Sequence, residues 1–210
     1  MMYRFDLINQ LIKDKSFDRY LEIGVCHPEM CFNKINCKHK DSVDPGYENE
    51  LNPVKYKLTS DEFFNQLPKT HPKYDVIFID GLHLSWQVKK DIENSLKYLN
   101  DDGYIVLHDC NPPTLLHARE NYVIDDKLSE WNGTVWKALY WVRTHKKDLY
   151  SCVLDTDWGL GIIRKNKNNN TNLIPFNNPF YEYGEMIKDR KNSLGLIDIN
   201  ELDSWIKYND

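Results

Sequence analysis

The 210-residue sequence predicts an α/β protein, a mostly parallel sheet wound on both faces by helices, with one antiparallel hairpin late in the chain. Three observations carry this. Tyr74-Asp-Val-Ile-Phe-Ile-Asp80 and Tyr104-Ile-Val-Leu-His-Asp109 are continuous apolar runs, the mark of strands buried on both faces. Between them, Ser85–Leu99 places Val88, Ile92, Leu96 and Leu99 on one helical stripe. Leu149–Leu154 and Leu160–Arg164 flank Asp155-Thr-Asp-Trp-Gly159, as the two arms of a hairpin flank their turn.

The other elements follow in order. Met1–Lys15 carries Phe5, Leu7, Ile8, Leu11 and Ile12 at helical spacing. Arg19–Val25 reads as a strand ending at Gly24, and Pro28–Ile35 as a short helix with proline in its first turn. Asp41–Gly46 is a brief strand running into a turn, and Val54–Leu58 alternates like another. Thr59 or Ser60 caps a helix through Phe64. Asn100–Gly103 is a turn before the strand at Tyr104. Asp125–Asn132 is a polar loop, and Thr134–Arg143 a helix bearing Trp136, Leu139, Tyr140 and Val142. Lys165–Asn172 is an exposed Asn/Lys linker. Beyond it, Phe176, Phe180, Tyr181, Tyr183 and Trp205 predict one or two packed helices.

Composition narrows the function classes. There are 32 acidic and 27 basic residues, a net charge of −5, which excludes nucleic-acid binding driven by whole-chain charge. No apolar run approaches the roughly 20 residues of a membrane span. The first residues lack the apolar core and cleavage site of a secretory signal, so a cytoplasmic protein with reduced thiols is expected. Cys26, His27, Cys31, Cys37 and His39 crowd together, but without a CxxC pair the reading is small buried residues rather than zinc.

In such a sheet, ligands bind beyond the carboxyl ends of the strands. The first end offers Glu22 and Gly24, without the further glycines of a pyrophosphate loop. Asp44 follows twenty residues after Gly24, where a carboxylate accepts the hydroxyls of an adenosine ribose. Ser60 and Asp61 are placed to bond an adenine edge or to cap a helix. Asp80 with His83, and His108 with Asp109, end the two most apolar strands. If those strands are neighbours, the acids lie roughly 5 Å apart. They then serve a divalent metal, a cationic group or proton transfer, with either histidine as base.

Tyr20-Leu-Glu-Ile-Gly24, Ser42-Val-Asp-Pro45, Leu58–Phe64, Tyr74–His83, Asp91–Leu96 and Gly103–Asp109 occur in an order that resembles class I S-adenosylmethionine-dependent methyltransferases of the methyltransferase 24 type. Trp131–Trp136 and Asp155–Ile163 are similar to its later segments. The resemblance implies a seven-stranded Rossmann-like sheet in a domain over 1–164, with 165–210 a linker and helical extension. It implies S-adenosylmethionine as cofactor, with Glu22 and Gly24 at its methionine end, Asp44 at the ribose, Ser60 and Asp61 at the adenine, and Asp80 and His83 facing the methyl. The first loop, Val25-Cys-His-Pro28, is poorer in glycine than the family pattern. Related O-methyltransferases hold Mg²⁺ through acids after the fourth and fifth strands and an adjacent asparagine; here those positions are Asp80, Asp109 and Asn111.

The expected activity is therefore methyl transfer to a small polar acceptor, a hydroxyl of a sugar, glycan precursor or secondary metabolite. His108 or His83 is the base, with Asp109 or Asp80 orienting it or holding Mg²⁺. A non-catalytic methyltransferase-like subunit and an NAD(P)-dependent oxidoreductase are the alternatives; the missing GxGxxG counts against the latter. A homo-oligomer is left open.

Overall fold

The structure is a computed structural model describing residues 1–123, 130–166 and 173–208. Most of the expected 125–132 loop and 165–172 linker lies outside the described residues. Helix α1 (Arg4–Lys15) leads into β1 (Arg19–Ile23), a 3₁₀ turn (Phe32–Lys34) and β2 (His39–Val43). Then come α2 (Ser60–Gln66), β3 (Tyr74–Ile79), α3 (Ser85–Tyr98) and β4 (Leu99–Leu107). The hairpin β5 (Leu149–Leu154) and β6 (Leu160–Lys165) follows α4 (Val135–His145). The C-terminal part holds α5 (Tyr183–Lys188), α6 (Arg190–Leu194), β7 (Leu196–Ile197), a 3₁₀ turn (Ile199–Glu201) and α7 (Leu202–Tyr208).

These strands form one seven-stranded sheet in the order β2-β1-β3-β4-β6-β5-β7, with only β6 antiparallel to its neighbours. The fold is Rossmann-like, and the chain reverses strand order at β1, which pairs with β2 on one side and β3 on the other. Alternate residues of each strand feed two cores. Leu21, Ile77, Ile79, Ile105 and Leu107 face α2, α3 and α4 through Phe63, Ile92 and Leu139. Tyr20, Val76, Phe78, Tyr104 and Val106 face the other way, onto Leu7, Ile8 and Leu11 of α1 and Leu202 and Ile206 of α7.

Four expectations are corrected. Asn100–Gly103 is not a turn but part of β4, which starts at Leu99 and absorbs a register shift opposite Tyr74 and Val76. The expected Val54–Leu58 strand is reduced to a bridge between Val43 and Tyr56, because the segment leaves the sheet edge after one backbone pairing. The Pro28–Ile35 helix shrinks to the 3₁₀ turn. The preceding loop is tied down from outside, by Asn49 Nδ2 donating to the Cys26 carbonyl at 2.9 Å and by Asn52 Nδ2 donating to that of Val25. The C-terminal part is more than helical: β7 pairs in parallel with β5 and supplies the seventh strand.

Candidate functional site

At the carboxyl ends of β1, β2, β3 and β4 lie two adjoining cavities. One, of about 390 Å³, is lined by Val43, Asp44, Leu58, Ser60, Asp61, Trp86, Gln87 and Asp91 among others. The second, of about 410 Å³, is lined by Arg4, Glu22, Met30, His83, His108, Asp109, Asn132 and Trp158 among others. Gly24, Cys26, Asp80 and Trp131 line both, so these four form the partition. We call the first the groove and the second the chamber.

The groove gathers the residues expected to hold an adenosine. Asp44 leaves β2 and accepts the Gly46 amide at 2.7 Å; burial raises its pKa. Ser60 and Asp61 open α2, whose cap is Thr59, and both accept from Gln87 Nε2, at 3.1 and 3.4 Å. Gln87 also donates to the buried Asp91 at 2.9 Å, and burial lifts that carboxyl to about 6. Gly24 has φ +90°, and a Cβ there would stand 2.2 Å from the Asp80 carbonyl oxygen. Only glycine lets β1 end so close to β3.

The chamber is an ionic cluster. β3 and β4 are neighbours, with Ile79 opposite Leu107, so His108 rather than Asp109 stands level with Asp80. Asp109 turns back with φ +60°. His108 Nδ1 is 2.8 Å from Asp109 Oδ2 and 3.2 Å from Asp80 Oδ1, while its Nε2 is 3.5 Å from Asp157 Oδ1. Burial alone would lower the His108 pKa; the Asp80 charge, the bond to Asp109 and the nearby Asp157 carboxylate outweigh it and hold the ring well above the usual histidine value. His83 Nε2 lies 3.2 Å from Asp80 Oδ1, and its Nδ1 has no hydrogen-bond partner. Its pKa is also raised, against desolvation, by the bond to Asp80 and the charge of Asp109. Trp131 stacks on the His83 ring at 5.0 Å. Behind them Glu22 accepts from Tyr20 Oη at 2.5 Å, and burial pushes its carboxyl up to about 7.

The structure thus places Glu22, Gly24, Asp80, His83, His108 and Asp109 around the chamber, and Asp44, Ser60 and Asp61 around the groove. Asn111 is elsewhere. The amides of Cys110 and Asn111 bond to the Gly159 and Trp158 carbonyls, which turns residue 111 outward to Asp155 at 2.9 Å and Arg190 at 2.7 Å. The amide on Asp109 belongs to Asn132, donating to Oδ1 at 2.6 Å. Asn132, Asp157 and Arg4 are the chamber residues that sequence reasoning missed. Asp157 falls within the expected hairpin turn and Arg4 within the first helix, with nothing to single them out; only the resemblance of Trp131-Asn-Gly-Thr134 hinted at Asn132.

Residues 19–110 match a family model, Methyltransf_24, described as "Methyltransferase domain". This segment, a little under half of the chain, is similar to that domain. A search of curated proteins finds no match. Among solved structures, the chain is similar to an O-methyltransferase from Bacillus cereus in complex with S-adenosylhomocysteine, at 16% identity over 75% of this chain and 77% of that one, TM-score 0.51. A methyltransferase of Podospora anserina, also bound to S-adenosylhomocysteine, gives 14%, 77%, 77% and 0.53. The O-methyltransferase TomG of Streptomyces achromogenes, in complex with S-adenosylmethionine, gives 13%, 76%, 78% and 0.52. At these identities they share the fold.

Asp80, His83 and Asp109 bring three candidate ligand atoms within 4.8 Å of one another, the one such grouping among the described residues. A hard divalent ion does not fit this set as it stands. Asp80 Oδ2 is held by Arg4 at 2.8 Å and its Oδ1 faces both histidines; Asp109 Oδ2 faces His108 and its Oδ1 accepts from Asn132. Every carboxylate oxygen already has a protein cation or amide.

Proposed function

We propose that the protein transfers a methyl group from S-adenosylmethionine to a hydroxyl of a small polar acceptor. The observation that carries this is the pair of joined cavities: an adenosine-sized groove edged by Asp44, Ser60 and Asp61, opening past Gly24 and Asp80 into a chamber with two histidines. S-adenosylmethionine fits that donor set, with Asp44 on its ribose, Ser60 and Asp61 on its adenine, and Glu22 and Gly24 toward its methionine end. When bound, it supplies an electrophilic methyl on sulfur.

The chain must then orient the acceptor, exclude water and take one proton. With its Nε2–H donated to Asp80, His83 in its neutral form, favoured as pH rises, presents Nδ1 as the acceptor of that proton; Asp109, 3.4 Å from Nδ1, stabilises the imidazolium formed. His108, surrounded by three carboxylates, is already charged and acts by its field. With the cofactor held by these residues, its methyl would pass from sulfur to the acceptor oxygen, leaving the neutral thioether, and His83 would take the acceptor proton. Trp131 and Trp158 beside Asn132 and Glu130 combine flat apolar walls with polar groups. That favours a sugar or glycan precursor, or a polyhydroxylated secondary metabolite, as acceptor.

Calorimetric titration with S-adenosylhomocysteine tests the reading, with NAD⁺ as comparison. Micromolar binding of S-adenosylhomocysteine alone, weakened roughly tenfold or more in Asp44→Ala, is expected. No binding of it, or tighter binding of NAD⁺, would overturn the proposal.

A further inference from the structure

Arg4 begins α1, yet its side chain ends in the chamber, 76 positions from Asp80 and 153 from Asp157. Nη1 donates to Asp80 Oδ2 at 2.8 Å. Nε and Nη2 donate to the two oxygens of Asp157 at 3.0 Å each, the bidentate fork that guanidinium and carboxylate form best. The backbone holds this in place: the Arg4 amide donates to Asp157 Oδ2 at 2.8 Å, and Thr156 Oγ1 donates to the Met2 carbonyl at 2.9 Å. Leu7, Ile8, Leu11 and Ile12 then bury α1 on the sheet, so the guanidinium is delivered by a packed helix rather than a loop.

Three carboxylates, Asp80, Asp109 and Asp157, meet here against Arg4, His83 and His108. Such a concentration of buried negative charge requires cations. In the sequence it suggested a divalent ion; in the fold, a side chain stands on Asp80 instead.

We propose that Arg4, anchored on Asp157, is the resident cation of this chamber, filling the place on Asp80 that a divalent ion would need and closing the cluster to metal. This rests on the methyltransferase reading only for its catalytic meaning: three of the five guanidinium N–H groups are spent on Asp80 and Asp157, leaving two for the acceptor oxygen as its proton departs.

The test reads cation binding, not turnover. Mn²⁺ is titrated into the full chain with and without S-adenosylhomocysteine, free Mn²⁺ being followed by electron paramagnetic resonance. The wild type should bind none up to millimolar metal. Arg4→Gln should bind one ion at least tenfold more tightly, and lose it again in Arg4→Gln with Asp80→Asn. Arg4→Lys, which keeps the charge, should exclude Mn²⁺ as the wild type does, and melting curves report whether each variant is folded. Stoichiometric binding by the wild type that is lost in Asp80→Asn would overturn the proposal. So would failure of both folded Arg4→Gln and wild type to bind, since the carboxylates would then not make a cation site for Arg4 to fill. Loss of S-adenosylhomocysteine binding in the wild type would count against the methyltransferase reading alone.

Discussion

His83 and His108 sit in the same chamber but under different charge. Each ring has one nitrogen on a carboxylate and one without a hydrogen-bond partner, Nδ1 of His83 and Nε2 of His108, but His108 faces three carboxylates and His83 two, so His83 is the less firmly protonated of the pair. If His83 takes the proton, His83→Ala should lower turnover roughly a hundredfold or more and leave S-adenosylhomocysteine affinity within a few-fold. Equal turnover in His83→Ala would assign the proton elsewhere. Glu22 makes a separate prediction. Its carboxyl is held up to about 7 by burial, against 4.5 when exposed. The folded state therefore keeps a proton that the unfolded state releases from pH 4.5 upward, and stability falls as pH rises from there through 7. Glu22→Gln removes this term. Urea denaturation at pH 5 and pH 8 should show the variant losing less stability than the wild type, by a difference of the order of 3 kcal/mol. Both histidines and Asp80 were legible from the sequence because they end apolar strands. Arg4 was not, because a long side chain reaching across the fold leaves no periodic trace.

Helix α2 is short enough that its cap decides it. Thr59 Oγ1 accepts the Glu62 amide at 3.3 Å, and Glu62 accepts the Thr59 amide at 2.9 Å, a closed capping box at the edge of the groove. Thr59→Ala should cost about 1 kcal/mol in denaturant titration and loosen Ser60 and Asp61, so cofactor affinity should fall with it. A variant as stable as wild type would mean the cap is idle. Strand β1 sets the opposite case. Gly24→Ala adds a Cβ against the Asp80 backbone at a positive φ, so it should destabilise the protein and abolish S-adenosylhomocysteine binding together. The buried strands and α3 were readable because apolar runs and a helical stripe have periods of their own. The Val54–Leu58 strand and the Pro28 helix were misread because backbone pairing and side-chain anchors from Asn49 and Asn52, not local pattern, decide those segments.

At the scale of the molecule, the C-terminal part is bound into both the sheet and the core. β7 extends the sheet beyond β5, and Leu202 and Ile206 join the core formed by α1. Arg143 donates to the Ser151 and Asn192 carbonyls, at 2.8 and 3.0 Å, tying α4, β5 and α6 together. Leu202→Ala should therefore cost about 2–4 kcal/mol by thermal or chemical denaturation, as a core substitution does, while S-adenosylhomocysteine affinity stays put. A loss under 0.5 kcal/mol would make this part an appendage. The sequence signalled packing there through its aromatic residues, but a two-residue strand has no pattern to read.

The clasp between Arg4 and the β5–β6 turn has one more consequence, in time rather than space. It joins positions 153 residues apart, and a contact so distant in the chain closes only when the sheet between them is in place. No hairpin or helix pair carries the chamber by itself, so its charge balance is a late property of folding and an early casualty of unfolding. Fraying of one turn at the start of α1 would leave the sheet standing and the three carboxylates with only the histidines for company.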